Sequence, residues 1–194
     1  MTIQGVVPEW TSSGVVPPIR PDVDGASPDR SPYQVGLGQF CEQFGTTQER
    51  CHILNGFLDF RRELHNAGLV TGFQWLDGSF LERVELTQKR PPRDVDVVSF
   101  LQLPDGETQA TLLKRAPALF DHHRVKTDYN VDAYFSFLGQ PSTSFIVRQI
   151  AYWYSMWSHR RDGLWKGFVQ ISLAPDDDAF ARQFIVDKGG VDHG

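Results

Sequence analysis

Cysteine is scarce in this chain of 194 residues, which carries two, Cys41 and Cys51. Both lie in a segment that reads as helical and share no metal-ligand spacing. That excludes a disulfide framework or a zinc site as the organising element, and leaves two reduced, structural thiols. Long apolar runs are missing too. No stretch approaches eighteen apolar residues, and no basic segment followed by an apolar one opens the chain, so neither a membrane span nor a secretory signal is readable and the expected address is the cytoplasm. Positive charge is in deficit, with 19 Lys and Arg against 24 Asp and Glu and a net charge of -5. A protein that coats nucleic acid by bulk electrostatics is therefore not expected, although short basic clusters still neutralise phosphates locally. Each such cluster, Lys89-Arg90-Arg93, Lys114-Arg115, Arg124-Lys126 or Arg160-Arg161-Lys166, reads by itself as solvated surface.

What is present points to one globular unit. A hydrophobic content of 40% supplies one substantial core at this length. Residues 1–35 hold Pro8, Pro17, Pro18, Pro21, Pro28 and Pro32, which favour an extended, irregular arm. Trp10, Val15, Val16, Ile19 and Tyr33 are its expected anchors on the body. Residues 36–194 form the domain proper, with no internal repeat.

Within it, Thr46 followed by Glu49 reads as a capping box, and Ile53, Leu54, Phe57, Leu58 and Leu64 recur at helical spacing up to a stop at Gly68. Residues 72–77 read as a strand, Gly78-Ser79 as a sharp turn, and "FLERVEL" as a short helix or loop. "RDVDVVSFLQL" reads as a buried strand, and residues 106–120 as a helix interrupted or restarted at Pro117. "DYNVDAYFSF" alternates, which puts Asp128, Asn130 and Asp132 on one face of a strand. From Ser144 to His159, the stripe Ile146, Ile150, Trp153 and Trp157 reads as a helix face in the core. "KGFVQISL" is expected as the last strand, with "PDDD" as a solvated turn before a short helix at 179–184. His122-His123 reads as a surface pair at a helix end, because adjacent histidines point apart.

Two short signals carry chemistry. Strand alternation puts Asp94 and Asp96 on one face, where two carboxylates raise each other's proton affinity unless a cation holds them ionised. Magnesium prefers such hard oxygen ligands, and substrate phosphates complete its shell. Upstream, the Gly78-Ser79 turn exposes backbone amides and a hydroxyl at a strand end, and amides in such a turn bind anions. Each signal alone is common. Strand, Gly-Ser, connecting segment and then Asp-x-Asp opening a second strand make a more specific arrangement.

This arrangement resembles the DNA polymerase beta-like nucleotidyltransferase superfamily, whose signature is Gly-Ser, then Asp-x-Asp or Asp-x-Glu, then a third carboxylate on a later strand. "DGSF" and "RDVDVV" match the first two parts, and Asp132 in "YNVDAYF" takes the third, with Asp128 in reserve. Asp77 stands where many members carry a second glycine. The wider pattern of "GVVPP", "RSPY", "FQWLDGSFLE", "PRDVDVV" and "KGF" is similar to small stand-alone bacterial members of unsettled function, over most of the chain.

The resemblance implies an α+β fold, a mixed sheet flanked by helices. It implies magnesium or manganese, two ions, on Asp94, Asp96 and Asp132, with Gly78 and Ser79 on the terminal phosphates of a nucleoside triphosphate. Lys166, Arg160 and Arg161 are candidates for further phosphate contacts. The implied activity is transfer of a nucleoside monophosphate to a hydroxyl on a nucleic-acid end, a protein side chain or another nucleotide. Such members often belong to toxin-antitoxin or antiphage modules, so a partner protein encoded nearby is implied as a regulator. A silent nucleotide-binding or antitoxin-like module and a phosphohydrolase using the same carboxylates are the alternatives.

Overall fold

The computed structural model describes residues 5–139 and 143–189. Val15, Val16 and Tyr33 of the arm are buried, with Trp10 and Ile19 partly so. The arm ends in a two-residue strand, β1 (Tyr33–Gln34), and α1 (Leu37–Phe44) follows. Helix α2 (Gln48–Asn66) starts one residue later than the sequence predicts. Its N-cap is Thr47, whose hydroxyl accepts from the Arg50 amide at 3.3 Å, so Glu49 falls inside the first turn and no box with Thr46 forms. At the far end Gly68 takes a φ of 77° and the Leu69 amide donates to the Leu64 carbonyl, a stop that needs glycine's left-handed freedom.

Strand β2 (Gly72–Asp77) has the expected limits, and a 3-10 turn (Ser79–Leu81) and a single-turn helix, α3 (Val84–Thr87), come after it. β3 (Val95–Leu101) is followed by α4 (Gln109–Arg115), a 3-10 turn restarted at Pro117 (Pro117–Phe120) and α5 (His122–Tyr129). Helix α5 corrects the strand reading of this segment. Asp128 lies on it, paired with Arg124 at 3.3 Å, and so does not share a face with Asp132. Asn130 ends α5 in the left-handed region, and β4 (Val131–Phe137) starts only there. A short polar side chain tolerates that conformation, which lets helix and strand abut across one residue.

The remaining elements are α6 (Thr143–Trp157), β5 (Val169–Ser172), a 3-10 turn (Pro175–Asp177) and α7 (Asp178–Gly189). Asp178 is not a solvated turn residue: it pairs with the fully buried Arg61 at 2.7 Å. Cys41 and Cys51 are buried and unbonded. Among the described residues, no helix is long and apolar enough to cross a membrane.

The described residues thus build a mixed α/β fold of seven α-helices and a five-stranded sheet of order β1-β5-β2-β3-β4. β3 and β4 run parallel, joined by the crossover that carries α4 and α5, while β2 is antiparallel to both β3 and β5. Register sets the two faces. Phe73, Trp75 and Asp77 align with Phe100, Val98 and Asp96, and these with Ser136, Tyr134 and Asp132. The opposite face meets α2, where Arg61 donates to Gln74 at 2.7 Å and Phe60 packs against Phe135. Helices α5 and α7 pack on α2, and α1 on α7.

Helix α6 approaches the first face with its C-terminal half. Trp153 packs against Tyr134 with ring centroids 4.9 Å apart, and Trp157 meets Phe168 at 6.0 Å. The expected four-residue core stripe is therefore half right. Trp153 and Trp157 are buried, whereas Ile150 is exposed and Ile146 half-buried, because the aromatic partners on the sheet lie under the last two turns only.

Candidate metal and phosphate site

Three aspartates from three adjacent strands stand in one row. Asp77 ends β2 opposite Asp96 of β3, and Asp96 lies opposite Asp132 of β4. Residues in register point to the same face, so the antiparallel and parallel pairings together line up three carboxylates at one end of the sheet. Asp94, two residues before Asp96, joins them: Lys126 Nζ lies 2.8 Å from Asp94 Oδ2 and 2.6 Å from Asp132 Oδ2.

Gly78 is fitted against this row. Its φ of 84° and ψ of -168° lie where L side chains rarely go, and a Cβ there would sit 1.8 Å from Asp96 Oδ2. Ser79 then opens the 3-10 turn with its side chain half-buried. The segment is clamped from behind by Arg50 of α2. Its buried guanidinium donates to the Phe80 and Glu82 carbonyls, each at 2.6 Å, and to Glu85 at 2.6 Å. The arm adds a further tie, Trp10 Nε1 donating to the Leu81 carbonyl at 2.7 Å.

The carboxylate row, Lys126 and the Gly78-Ser79 turn face a cleft of about 900 Å³. Of the residues that the sequence nominates, Gly78 and Ser79, Asp94, Asp96 and Asp132, and Arg160, Arg161 and Lys166 line it, whereas the reserve carboxylate Asp128 does not. Their surroundings differ from those expected in two ways. Lys166 is buried, with its ammonium 2.7 Å from Asp77 Oδ1 and 3.4 Å from Glu82 Oε1, so it is a fixed countercharge in the cleft floor. Arg160 is engaged by Asp162 and lies 3.7 Å from Glu82, while Arg161 is exposed. Sequence reasoning missed Asp77, Glu82 and Lys126. Asp77 was legible from its place beside the Gly-Ser turn; Lys126 is six residues from Asp132, but only the helix-to-strand switch at Asn130 brings it to the site. His122, on the helix surface as expected, sets Nε2 3.4 Å from Asp132 Oδ1.

The electrostatics follow from crowding. Burial first, then the neighbouring Asp77, Asp132 and Asp94, push the Asp96 carboxyl up to about 7. Burial raises Asp77 to about 6 against the pull of Lys166. Burial alone would lower Lys166, but the Asp77 and Glu82 charges outweigh it and hold its ammonium above its ordinary value. Lys126 is raised by its bonds to Asp132 and Asp94. Near neutrality Asp96 is thus poised between its protonated and ionised forms.

The donor set suits a hard divalent cation. Asp132 Oδ1 is buried without a hydrogen-bond partner, an orphaned acceptor of the kind a cation satisfies. Among the described residues, no group of three or more His, Cys, Asp or Glu side chains is placed so as to hold a metal ion. The Lys126 ammonium lies between two of the carboxylates instead.

Fold and site together define an α/β domain with a carboxylate-lined cleft at one end of a mixed sheet. Residues 8–172 match a described family, and the chain belongs to it: DUF6932, a family of unknown function. The match runs from the arm to the end of β5 and takes in every cleft residue named above. No curated protein and no solved structure matches the chain.

Proposed function

We propose that this protein is a metal-dependent nucleotidyltransferase with a polymerase beta-like fold, moving a nucleoside monophosphate from a nucleoside triphosphate to a hydroxyl acceptor. The observation that carries this reading is the register. Asp96 and Asp132 stand side by side on parallel strands, Asp94 lies two residues from Asp96, and the Gly78-Ser79 turn packs on Asp96 from the adjacent strand.

Asp94, Asp96 and Asp132 would hold magnesium or manganese, which when bound neutralises the triphosphate and makes the acceptor hydroxyl more acidic. The Gly78-Ser79 turn binds the terminal phosphates through amides and a hydroxyl, and Arg161 offers charge at the cleft wall. Lys166, paired with Asp77 and Glu82, opposes the upward push of burial on Asp77 and fixes these carboxylates beside Asp96. The acceptor oxygen attacks the α-phosphorus, the bond to the β-phosphate oxygen breaks, pyrophosphate leaves, and a cleft carboxylate takes the hydroxyl proton.

The acceptor is a nucleic-acid end, a protein side chain or a nucleotide. By analogy with the superfamily alone, a partner encoded nearby, in a toxin-antitoxin or antiphage module, regulates the transfer. One observation favours a second reading, a nucleotide-binding module without turnover: Lys126 already bridges Asp94 and Asp132.

Incubation with each labelled ribo- and deoxyribonucleoside triphosphate and magnesium or manganese separates these. Label is expected to enter protein, nucleic acid or a new oligonucleotide, and to be lost in Asp94→Ala and Asp96→Ala variants that remain folded. Transfer unchanged in either variant sinks the proposal. Pyrophosphate release without transferred label points to a hydrolase, and nucleotide binding without either product points to the silent module.

A further inference from the structure

Lys126 reads from the sequence as one member of a solvated basic pair, yet its ammonium lies among the carboxylates. It reaches them from α5, 2.8 Å from Asp94 Oδ2 and 2.6 Å from Asp132 Oδ2, and so spans two strands. An ammonium is a compact charge with three donors on a flexible stem, and between two carboxylates it substitutes for a small cation. Two further features separate it from Lys166. The Lys126 side chain is 44% exposed, so its stem has an outward route, whereas Lys166 is 6% exposed and fixed on Asp77. Asp132 also keeps its other oxygen, Oδ1, buried and without a hydrogen bond, with the His122 Nε2 3.4 Å away, so that oxygen stays open to a stronger partner.

We propose that Lys126 is an exchangeable cation of the site: it holds Asp94 and Asp132 together until a divalent cation displaces its ammonium outward into the cleft. This rests on the reading of Asp94, Asp96 and Asp132 as metal ligands. Its consequence is competition. Metal entry must break both Lys126 ion pairs, which weakens metal binding, and it frees a cationic side chain at the wall where an anionic substrate arrives. The bridge also keeps mutually repelling carboxylates in place before a metal binds.

The test is a calorimetric titration of the full chain with manganese alone, comparing the unmodified protein with Lys126→Met. Two partly exposed ion pairs disappear in that variant, so its manganese affinity is expected to rise on the order of tenfold. Equal or weaker binding by Lys126→Met, with the unmodified chain still binding, overturns the role of Lys126 and leaves the metal reading standing. Absence of manganese binding in both chains overturns both ideas. A measurement on the unmodified chain guards against misfolding of the variant. Manganese is expected to increase acylation of the Lys126 amine several-fold by peptide mass spectrometry, and unchanged labelling overturns the displacement.

Discussion

Asp96 stands in the middle of the carboxylate row, and its chemistry follows from that position. A folded-state pKa of about 7 against an ordinary 3.8 means that the folded protein binds this proton more tightly than the unfolded chain does. The stability linked to Asp96 is therefore fully present below the ordinary value and is lost as pH rises through about 7. Comparison of the metal-free protein with Asp96→Asn isolates this group from the other carboxylates. The variant is expected to melt higher at pH 8, with the difference shrinking toward pH 4. A lower melting temperature for Asp96→Asn at pH 8 contradicts the assignment. If Asp96 is a metal ligand as proposed, manganese binding to the unmodified chain is expected to show the opposite profile and strengthen as pH rises through about 7, because the ligand must be ionised.

At the scale of elements, the cleft depends on how the segment after β2 is held. Arg50 reaches from α2 to two carbonyls and a carboxylate of that segment, stacking on Trp10 and Phe80 on the way. Arg61, further along the same helix, makes a comparable buried set to Asp178, Gln74 and the strand end at Ser172, away from the cleft. Breaking either should cost about 3 kcal/mol or more, since each leaves buried polar groups without partners. The two differ in function. Arg50→Leu is expected to lower both melting temperature and triphosphate affinity, whereas Arg61→Leu lowers melting temperature alone. Equal loss of triphosphate affinity in both variants would show that the clamp on residues 80–85 has no special bearing on the cleft.

Across the whole molecule, the arm belongs to the structure as much as to the surface. Val7, Val15 and Val16 are almost wholly buried, the Gly167 amide donates to the Val16 carbonyl at 2.7 Å, and the Arg83 amide to the Gly14 carbonyl at 2.8 Å. Three buried valines at about 1.5 kcal/mol or more each approach the total stability of a typical domain. A chain lacking the segment through Val16 is expected to lose its cooperative thermal transition. Retention of a native melting temperature would show that the arm only decorates the body.

Local pattern made much of this protein legible. The limits of β2, the Gly-Ser turn, the Asp-x-Asp strand and the aromatic half of α6 are set by alternation, glycine and helical spacing, all properties of neighbours in the chain. Errors came where neighbours were a poor guide. The alternation of Asp128, Asn130 and Asp132 mimics a strand, but Asn130 in the left-handed region divides helix from strand there. Lys166 reads as a phosphate-binding charge, because ion pairing across 89 positions, as between Lys166 and Asp77, leaves no trace in sequence spacing. Lys126 reads as a surface charge although Asp132 is six residues away, because the helix-to-strand switch at Asn130 is what brings them together. The sequence alone therefore determined which residue types could do chemistry and the local shape that presents each of them. Only the tertiary structure decided which charges meet, because strand register and helix packing, not proximity along the chain, set the distances over which charges act.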